Sequence, residues 1–383
     1  MARIHRSVVL YPTPSLTRSD EEVLAGIESM RARLGRRVQD SAERWLPGFR
    51  RALTAHAVAA SNGIEGFRVP TQDVRDLMDG ERDVGVSEAN RAETLTYQRT
   101  MTYVQSLHDV ADFAYSKGLL NALHWMLQGH RHTSRKPAGQ WRRGPVYVTD
   151  ARNPRVAAYT APAAADVPGL MSELVDWLNA DDGTHPLIRA AMAHLHLVSI
   201  HPWPDGNGRM SRSLQTLLIA REGVLPPEFS SIEGWLGVSV NTWSYYQELQ
   251  SRGATYRPDQ DVSSWVRFNL TAYHQQAQAV QRRLDDSAAV WELLDTFVRD
   301  TGRDERVMSA LHNVAVAGRV RRARYERAEG LTPRQAQRDL RELVTAGLLA
   351  PEARYYVEGP DFPAAVLEVA RTPFPLSEPY PRG

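Results

Sequence analysis

The sequence predicts an all-α protein that carries one small β-hairpin and ends in a separate C-terminal domain of short helices. Three observations predict it. Apolar residues recur at helical spacing through most of the first 286 residues, as in Leu170, Met171, Leu174, Trp177 and Leu178. Two short β-prone runs, 145–148 and 155–159, flank the turn-rich Asp150-Ala151-Arg152-Asn153-Pro154. Beyond about residue 286 the composition shifts: arginine crowds into 303–341 and the periodic stretches shorten.

Taken in order, the periodicity predicts helices over 20–34, 37–61, 71–78, 87–109, 116–129, 166–180, 185–200, 207–222, 231–235, 239–252 and 261–286. The helix over 166–180 has Asp166 as its N-cap and Pro168 in its first turn, where a missing N–H breaks no helical bond. In the C-terminal part Thr332 caps a helix with Pro333 at its first position, and Leu340, Leu343 and Val344 supply its apolar face up to Gly347. A hairpin is expected to follow, from Leu348-Leu349-Ala350 into Arg354-Tyr355-Tyr356-Val357. The Pro-rich end, 371–383, is expected to be extended or frayed. Three parts result: an N-terminal helical segment over 1–35, a helical core over 36–282 and a C-terminal domain over 286–383.

Composition narrows the chemistry. The 383 residues contain no cysteine, which excludes disulfides, thiolate zinc sites and a cysteine nucleophile. A net charge of +1 gives no whole-chain argument for nucleic acid, and lysine occurs only at Lys117 and Lys136. Neither a membrane span nor a secretory signal is visible, so a cytoplasmic location and no membrane partner are expected.

The run His201-Pro202-Trp203-Pro204-Asp205-Gly206-Asn207-Gly208-Arg209-Met210-Ser211-Arg212 is a polar loop between two apolar helices. Pro202 disfavours helical geometry at His201 and so fixes that imidazole at a helix end. Gly206 and Gly208 permit tight backbone geometry, and the helix starting near Asn207 offers unpaired N–H groups to an anion. Arg209 and Arg212, three apart on the first turn, can fork onto phosphate oxygens. Asp205 adds a hard oxygen ligand suited to Mg²⁺. The set suggests phosphoryl or nucleotidyl chemistry with a histidine base. A three-histidine zinc site from His194, His196 and His201 is disfavoured, since His194 and His196 point to different sides of one helix.

This run resembles the motif H-x-F-x-(D/E)-G-N-G-R-x-x-R of the Fic family, with Trp203 at the aromatic position. The resemblance implies a Fic-type helical core and transfer of AMP from ATP to a Ser, Thr or Tyr hydroxyl of a target protein. His201 would be the base, Asp205 the Mg²⁺ ligand, Gly206, Asn207 and Gly208 the phosphate cradle, and Arg209 and Arg212 the clamps on the β- and γ-phosphates. The segment Gly139–Val148, with Tyr159-Thr160-Ala161-Pro162, resembles the family's β-hairpin flap, which aligns a target by strand addition. Tyr245 and Tyr246 fall in a stretch similar to the family's Y-Y-x-x-L, where an aromatic lies near the adenine. Adjacent tyrosines on a helix cannot both face one pocket, so at least one belongs to the core. Ser61-Asn62-Gly63-Ile64-Glu65-Gly66 matches the family's inhibitory motif (S/T)-x-x-x-E-(G/N), which implies that Glu65 occupies Arg212 and restrains the enzyme from within one chain.

The C-terminal part resembles a winged helix-turn-helix, with Arg334, Gln335, Arg338 and Arg341 on its recognition helix and Arg319, Arg321, Arg322 and Arg324 nearby. Such a domain binds DNA or protein, and Glu326, Glu329, Asp339 and Glu342 dilute its positive charge. Expected partners are therefore ATP, a target protein and DNA or protein at the winged helix, and a homodimer is compatible with the sequence. Three alternative activities remain open: removal of AMP with Glu65 positioning water, transfer of UMP or a phosphoryl group, and nucleotide-responsive DNA binding with little catalysis.

Overall fold

The computed structural model describes residues 9–39, 43–149 and 157–380. Helices dominate it. They are α1 (Arg18–Gln39), α2 (Leu46–Ile64), α3 (Thr71–Met78), α4 (Glu88–Ser106), α5 (Lys117–Gln128), α6 (Val167–Asn179), α7 (Pro186–Ile200) and α8 (Asn207–Arg221). The short α9 (Glu233–Leu236) and α10 (Ser239–Gln250) precede the long α11 (Ser263–Asp300), then α12 (Met308–Ala317), α13 (Arg322–Glu329), α14 (Pro333–Thr345) and α15 (Ala364–Arg371). No helix among the described residues is long and apolar enough to cross a membrane.

The chain divides into two compact units, one within 1–39, 52–277 and 378–383, the other within 40–51 and 278–377. At the centre of the first lie α7 and α8. Nearly every residue of α7 is buried, as its apolar composition on all faces requires. Helix α8 is buried as completely although it carries Arg209, Ser211, Arg212, Ser213, Gln215 and Thr216. Polar partners make that burial tolerable. Gln215 accepts at Oε1 from His194 Nδ1 at 2.6 Å and donates from Nε2 to Asn269 Oδ1 at 2.8 Å and the Tyr273 hydroxyl at 2.6 Å.

The β-hairpin of the first unit pairs β1 (Tyr147–Thr149) antiparallel with β2 (Ala157–Thr160). The expected turn Asp150–Pro154, with Arg155 and Val156, lies outside the described residues. Val146 prolongs the pairing without being a strand residue, since its carbonyl accepts from Ala161 N at 3.3 Å. At its base, Thr160 N donates to Ala254 O at 2.8 Å, and Thr160 bridges Thr255 in parallel.

Several expected boundaries shift for identifiable reasons. The helix expected over 37–61 begins at Leu46, where Pro47 is tolerated only in a first turn. That expected over 261–286 continues to Asp300 because Val290, Leu294 and Val298 keep helical spacing and enter the core of the second unit. Asp166 stands at the N-cap of α6 but its side chain makes no capping bond.

In the second unit α12, α13 and α14 precede a hairpin of β3 (Leu349–Glu352) and β4 (Tyr355–Glu358), and Val320 bridges Tyr356. Thr332 and Gln335 form a reciprocal capping box at α14. Buried Asp339 accepts from Arg306 at 2.7 and 2.9 Å and from the Tyr325 hydroxyl at 3.0 Å. The described part of the Pro-rich end, 372–380, is extended and tied down: Ser377 N donates to Gln278 Oε1 at 2.9 Å, and Arg282 lies over the Phe374 ring.

Candidate active site

Helix α7 ends at His201, which takes a left-handed conformation, φ 52° and ψ 56°. Among the described residues, Ala353 is the other non-glycine at positive φ. The backbone therefore turns sharply at the imidazole, and His201 Nδ1 lies 3.0 Å from the Val198 carbonyl. A carbonyl can only accept, so Nδ1 carries the proton and Nε2 is left with its lone pair. Burial holds the His201 pKa below the ordinary value of 6.5; the Val198 bond opposes this and the Arg142 charge assists it.

The loop that follows is fixed from within. Trp203 is fully buried, donates from Nε1 to Asn121 Oδ1 at 2.9 Å and stacks on His124 at 4.6 Å. The Asn207 side chain accepts from Trp203 N at 3.0 Å and donates to Trp203 O at 2.9 Å. That amide thus braces the loop through its oxygen and one of its two N–H groups. Gly206 has φ 77°, and a Cβ there would lie 2.6 Å from Gln128 Nε2. Asp205 accepts from Gly206 N at 2.7 Å and pairs through Oδ2 with Lys136 Nζ at 3.3 Å. Burial works against its ionisation, but Lys136 and the Gly206 amide overcome this and leave its pKa below the ordinary value.

Arg209 and Arg212 part company. The Arg209 guanidinium is 1% exposed, pairs with the equally buried Glu93, and lies 5.5 Å from the centre of the Phe67 ring. Glu93 also takes His130 at 3.0 Å and Arg131 at 3.1 Å. Arg212 is among the residues lining the cleft. Arg212 donates from Nε to Ser61 Oγ at 2.8 Å, and from Nη2 to Ser61 O at 3.1 Å and Glu65 Oε1 at 2.8 Å. Burial alone would lower the Arg212 pKa, but facing Glu65 and then Tyr245, Tyr97 and Glu233 it is raised.

The inhibitory-motif residues come from the end of α2, which Gly66 terminates at φ 90° while Phe67 N returns to Asn62 O at 2.9 Å. This termination brings Glu65 over the start of α8: a Cβ added to Gly208 would lie 2.5 Å from Glu65 Oε1. Tyr245 is 2% exposed, its hydroxyl 3.0 Å from His194 Nε2. Tyr245 and Tyr246 both line the cleft, and Tyr246 donates to Ile64 O at 3.1 Å. His196 packs instead against Tyr11 and Trp177, and no cluster of three or more metal-ligating side chains occurs among the described residues.

His201, Asp205, Gly208, Arg212, Glu65 and Tyr246 line one cleft of about 1310 Å³, with the exposed Tyr147 and Val148 of β1 also on its wall. Sequence reasoning gave no role to Lys136, Arg142 or Glu93. Lys136 carried a signal, as one of two lysines in a chain that otherwise uses arginine. Glu93 carried none, because its partners are remote in sequence.

Residues 114–219 match the model of the Fic/DOC family. "Protein adenylyltransferase Fic" of Culex quinquefasciatus is 36% identical over 170 residues, 43% of this chain and 32% of that protein. The Nematostella vectensis protein of the same name is 29% identical over 218 residues, covering 56% and 48% respectively. The chain thus spans about a third to a half of the length of these curated relatives. Among solved structures, a Fic family protein from Desulfovibrio desulfuricans G20 shares the fold with a TM-score of 0.59 at 23% identity, over 91% of this chain and 98% of that one. Fic-1 (aa134–508) from C. elegans superimposes with a TM-score of 0.53 at 22% identity, over 69% and 71%.

Proposed function

We propose that this chain, which carries a Fic/DOC domain, is a protein adenylyltransferase that moves AMP from ATP to a hydroxyl of a target protein and is restrained by its own Glu65. The observation that carries the reading is the meeting, in one cleft, of an imidazole with a free Nε2, a helix start and a carboxylate seated on the arginine beside that start. Neutral His201 accepts the hydroxyl proton at Nε2 while the hydroxyl oxygen attacks the α-phosphorus of ATP; the bond to the bridging oxygen breaks and pyrophosphate leaves. First-turn amides of α8 face the charge that develops on the phosphoryl oxygens. With Glu65 displaced, Arg212 offers its guanidinium to the terminal phosphate.

Asp205 fits a Mg²⁺ ligand. Its partly exposed carboxylate lines the cleft and holds the Lys136 ammonium, a cation in the place where a metal would balance phosphate charge. Mg²⁺ usually takes one or two carboxylates, its other ligands being waters and phosphate oxygens, so the lack of a larger ligand cluster is no obstacle. Bound there, the ion would neutralise charge on the departing pyrophosphate. The test is labelling with ATP carrying its label on the α-phosphate: His201→Ala should label nothing, and retained labelling refutes the base assignment.

The domain reading, a core over 36–282 followed by a winged helix over 286–383, brings in a second partner. Arg334, Arg338 and Arg341 recur at i, i+4 and i+7 on α14 and are all exposed, while the apolar face of the helix is buried. A stripe of that kind suits the phosphates and base edges of duplex DNA. A salt-dependent gel shift with random-sequence duplex DNA tests it: Arg338→Ala should weaken binding and flatten the salt dependence, whereas no shift at 50 mM salt excludes it.

A further inference from the structure

Arg142 stands immediately upstream of the β-hairpin and is 4% exposed. Its guanidinium donates to four carbonyls. Nε reaches His201 O at 2.8 Å, Nη1 reaches Gly144 O at 3.0 Å, and Nη2 reaches Pro162 O at 2.6 Å and Ile200 O at 3.4 Å. The backbone adds a fifth contact, Arg142 N to Pro202 O at 2.8 Å.

These carbonyls belong to two structures. Ile200, His201 and Pro202 are the end of α7 and the start of the loop that presents the imidazole. Gly144 and Pro162 are the two feet of the β1–β2 hairpin. The last carbonyls of a helix have no partner within it and stand at the negative end of its dipole, so a cation there is favoured on both counts. His201 also holds a left-handed conformation that its Cβ disfavours. Such a conformation persists only where surrounding bonds over-determine it, and Arg142 supplies bonds to the carbonyls on both sides of the His201 Cα. Tyr159 reinforces the same junction by donating to Ser199 O at 2.7 Å.

We infer that Arg142 is the positioning residue of the reaction: by binding the carbonyls of Ile200 and His201 together with the feet of the hairpin, it sets the imidazole and the hairpin in one register. The inference rests on the adenylyltransferase reading. Arg142 reaches no group that would hold ATP, so its effect belongs to the turnover step and not to nucleotide affinity. A lysine could not take its place, because an ammonium is a point donor whereas the four carbonyls are met by a planar fork.

The test uses the full chain in a Glu65→Gly background, comparing Arg142 with Arg142→Gln and Arg142→Lys. Labelling from ATP should fall by about 100-fold in kcat for both variants, the cost expected of a misplaced reacting group, with the KM for ATP unchanged within about twofold. Millimolar guanidinium, far below denaturing concentration, should restore part of the rate in Arg142→Gln. An unchanged kcat, a KM that absorbs the loss, or full activity in Arg142→Lys would overturn the assignment.

A second measurement separates this inference from the functional reading beneath it. If the Glu65→Gly parent labels nothing, the adenylyltransferase reading fails, and Arg142 is judged by NMR titration of the His201 ring. The groups that act on that ring are Arg142, Asp205 and the Val198 carbonyl, joined in the wild-type chain by Glu65. Loss of the Arg142 charge should raise the titration midpoint in Arg142→Gln, whereas Arg142→Lys, which keeps the charge, should titrate near the parent. An identical midpoint in parent and Arg142→Gln shows that the guanidinium does not act on the histidine. Should Arg142→Gln fail to fold, Arg142→Lys decides through the kcat and KM readout.

Discussion

Replacing Glu65 with glycine should release the enzyme, and the structure sets the scale of the effect. Arg212 loses one charge-assisted bond, of 2.8 Å, to a carboxylate whose side chain is 27% exposed. Bonds to charged groups contribute about 1.5–3 kcal/mol, and partial exposure reduces this to about 1–2 kcal/mol. That corresponds to a gain of about 5- to 30-fold in the fraction of molecules whose terminal-phosphate seat is open. Folding should be preserved, because both Ser61 contacts to Arg212 remain. The assay is intact-mass spectrometry of the chain with Mg²⁺ and ATP, scored by addition of one AMP to the enzyme, together with labelling rates at limiting ATP. Glu65→Gln, which keeps the shape but not the charge, should fall between wild type and Glu65→Gly. An unchanged or lower rate in Glu65→Gly would refute the argument, and release of free AMP from a modified protein by the wild type would favour the reverse reaction.

Further outcomes follow from the same contacts. Since burial keeps the His201 pKa below 6.5, the base is neutral at pH 7 and becomes protonated only as pH falls through that lowered value. The rate should therefore hold down to pH 6.5 and decline below it; a pH profile of labelling whose acid limb is centred above 6.5 contradicts the environment described for His201. Glu93→Ala should destabilise the chain by about 3–5 kcal/mol in urea unfolding, because it leaves Arg209 charged, buried and unpaired. Adding Arg209→Met should recover much of that loss, and a double variant no more stable than Glu93→Ala would show that the pair is not the cause.

The sequence made the α7–loop–α8 unit legible because its information is local. Pro202 marks the end of one helix, the glycines mark the start of the next, and the residues between need no distant partner to be recognised. What stayed hidden depended on remote contacts. Arg209 and Arg212 look equivalent at a spacing of three, yet Glu93 of α4 takes one and the end of α2 takes the other. The side chain of Asn207 has a further role that the motif does not show, bracing Trp203 N and O. The run of α11 beyond 286 was missed for a different reason. The change in overall composition suggests a break, although Val290, Leu294 and Val298 continue the helical spacing without interruption.

On the proposed reading that Glu65 restrains the enzyme, the contacts of α2 also indicate which part of that restraint can move. A Cβ on Gly234 would lie 2.5 Å from His56 Cδ2, and one on Gly237 would lie 2.5 Å from the Ala60 Cβ, so the body of α2 lies close against α9 and the residue that follows it. Ser61, on the same stretch, is fully buried and bound twice to Arg212. Glu65 differs from all of these. It lies beyond the last residue of the helix, is partly exposed, and is held to Arg212 by one side-chain bond. Displacing the whole helix would break close packing and leave Arg212 without Ser61, whereas turning the Glu65 side chain breaks one bond and uncovers the start of α8. The Tyr246 hydroxyl on the Ile64 carbonyl is the tether nearest that movement. Release of the restraint is thus most economically a rearrangement of the last turn around Ile64, Glu65 and Gly66, with the helix left in place to keep Arg212 aimed at the cleft.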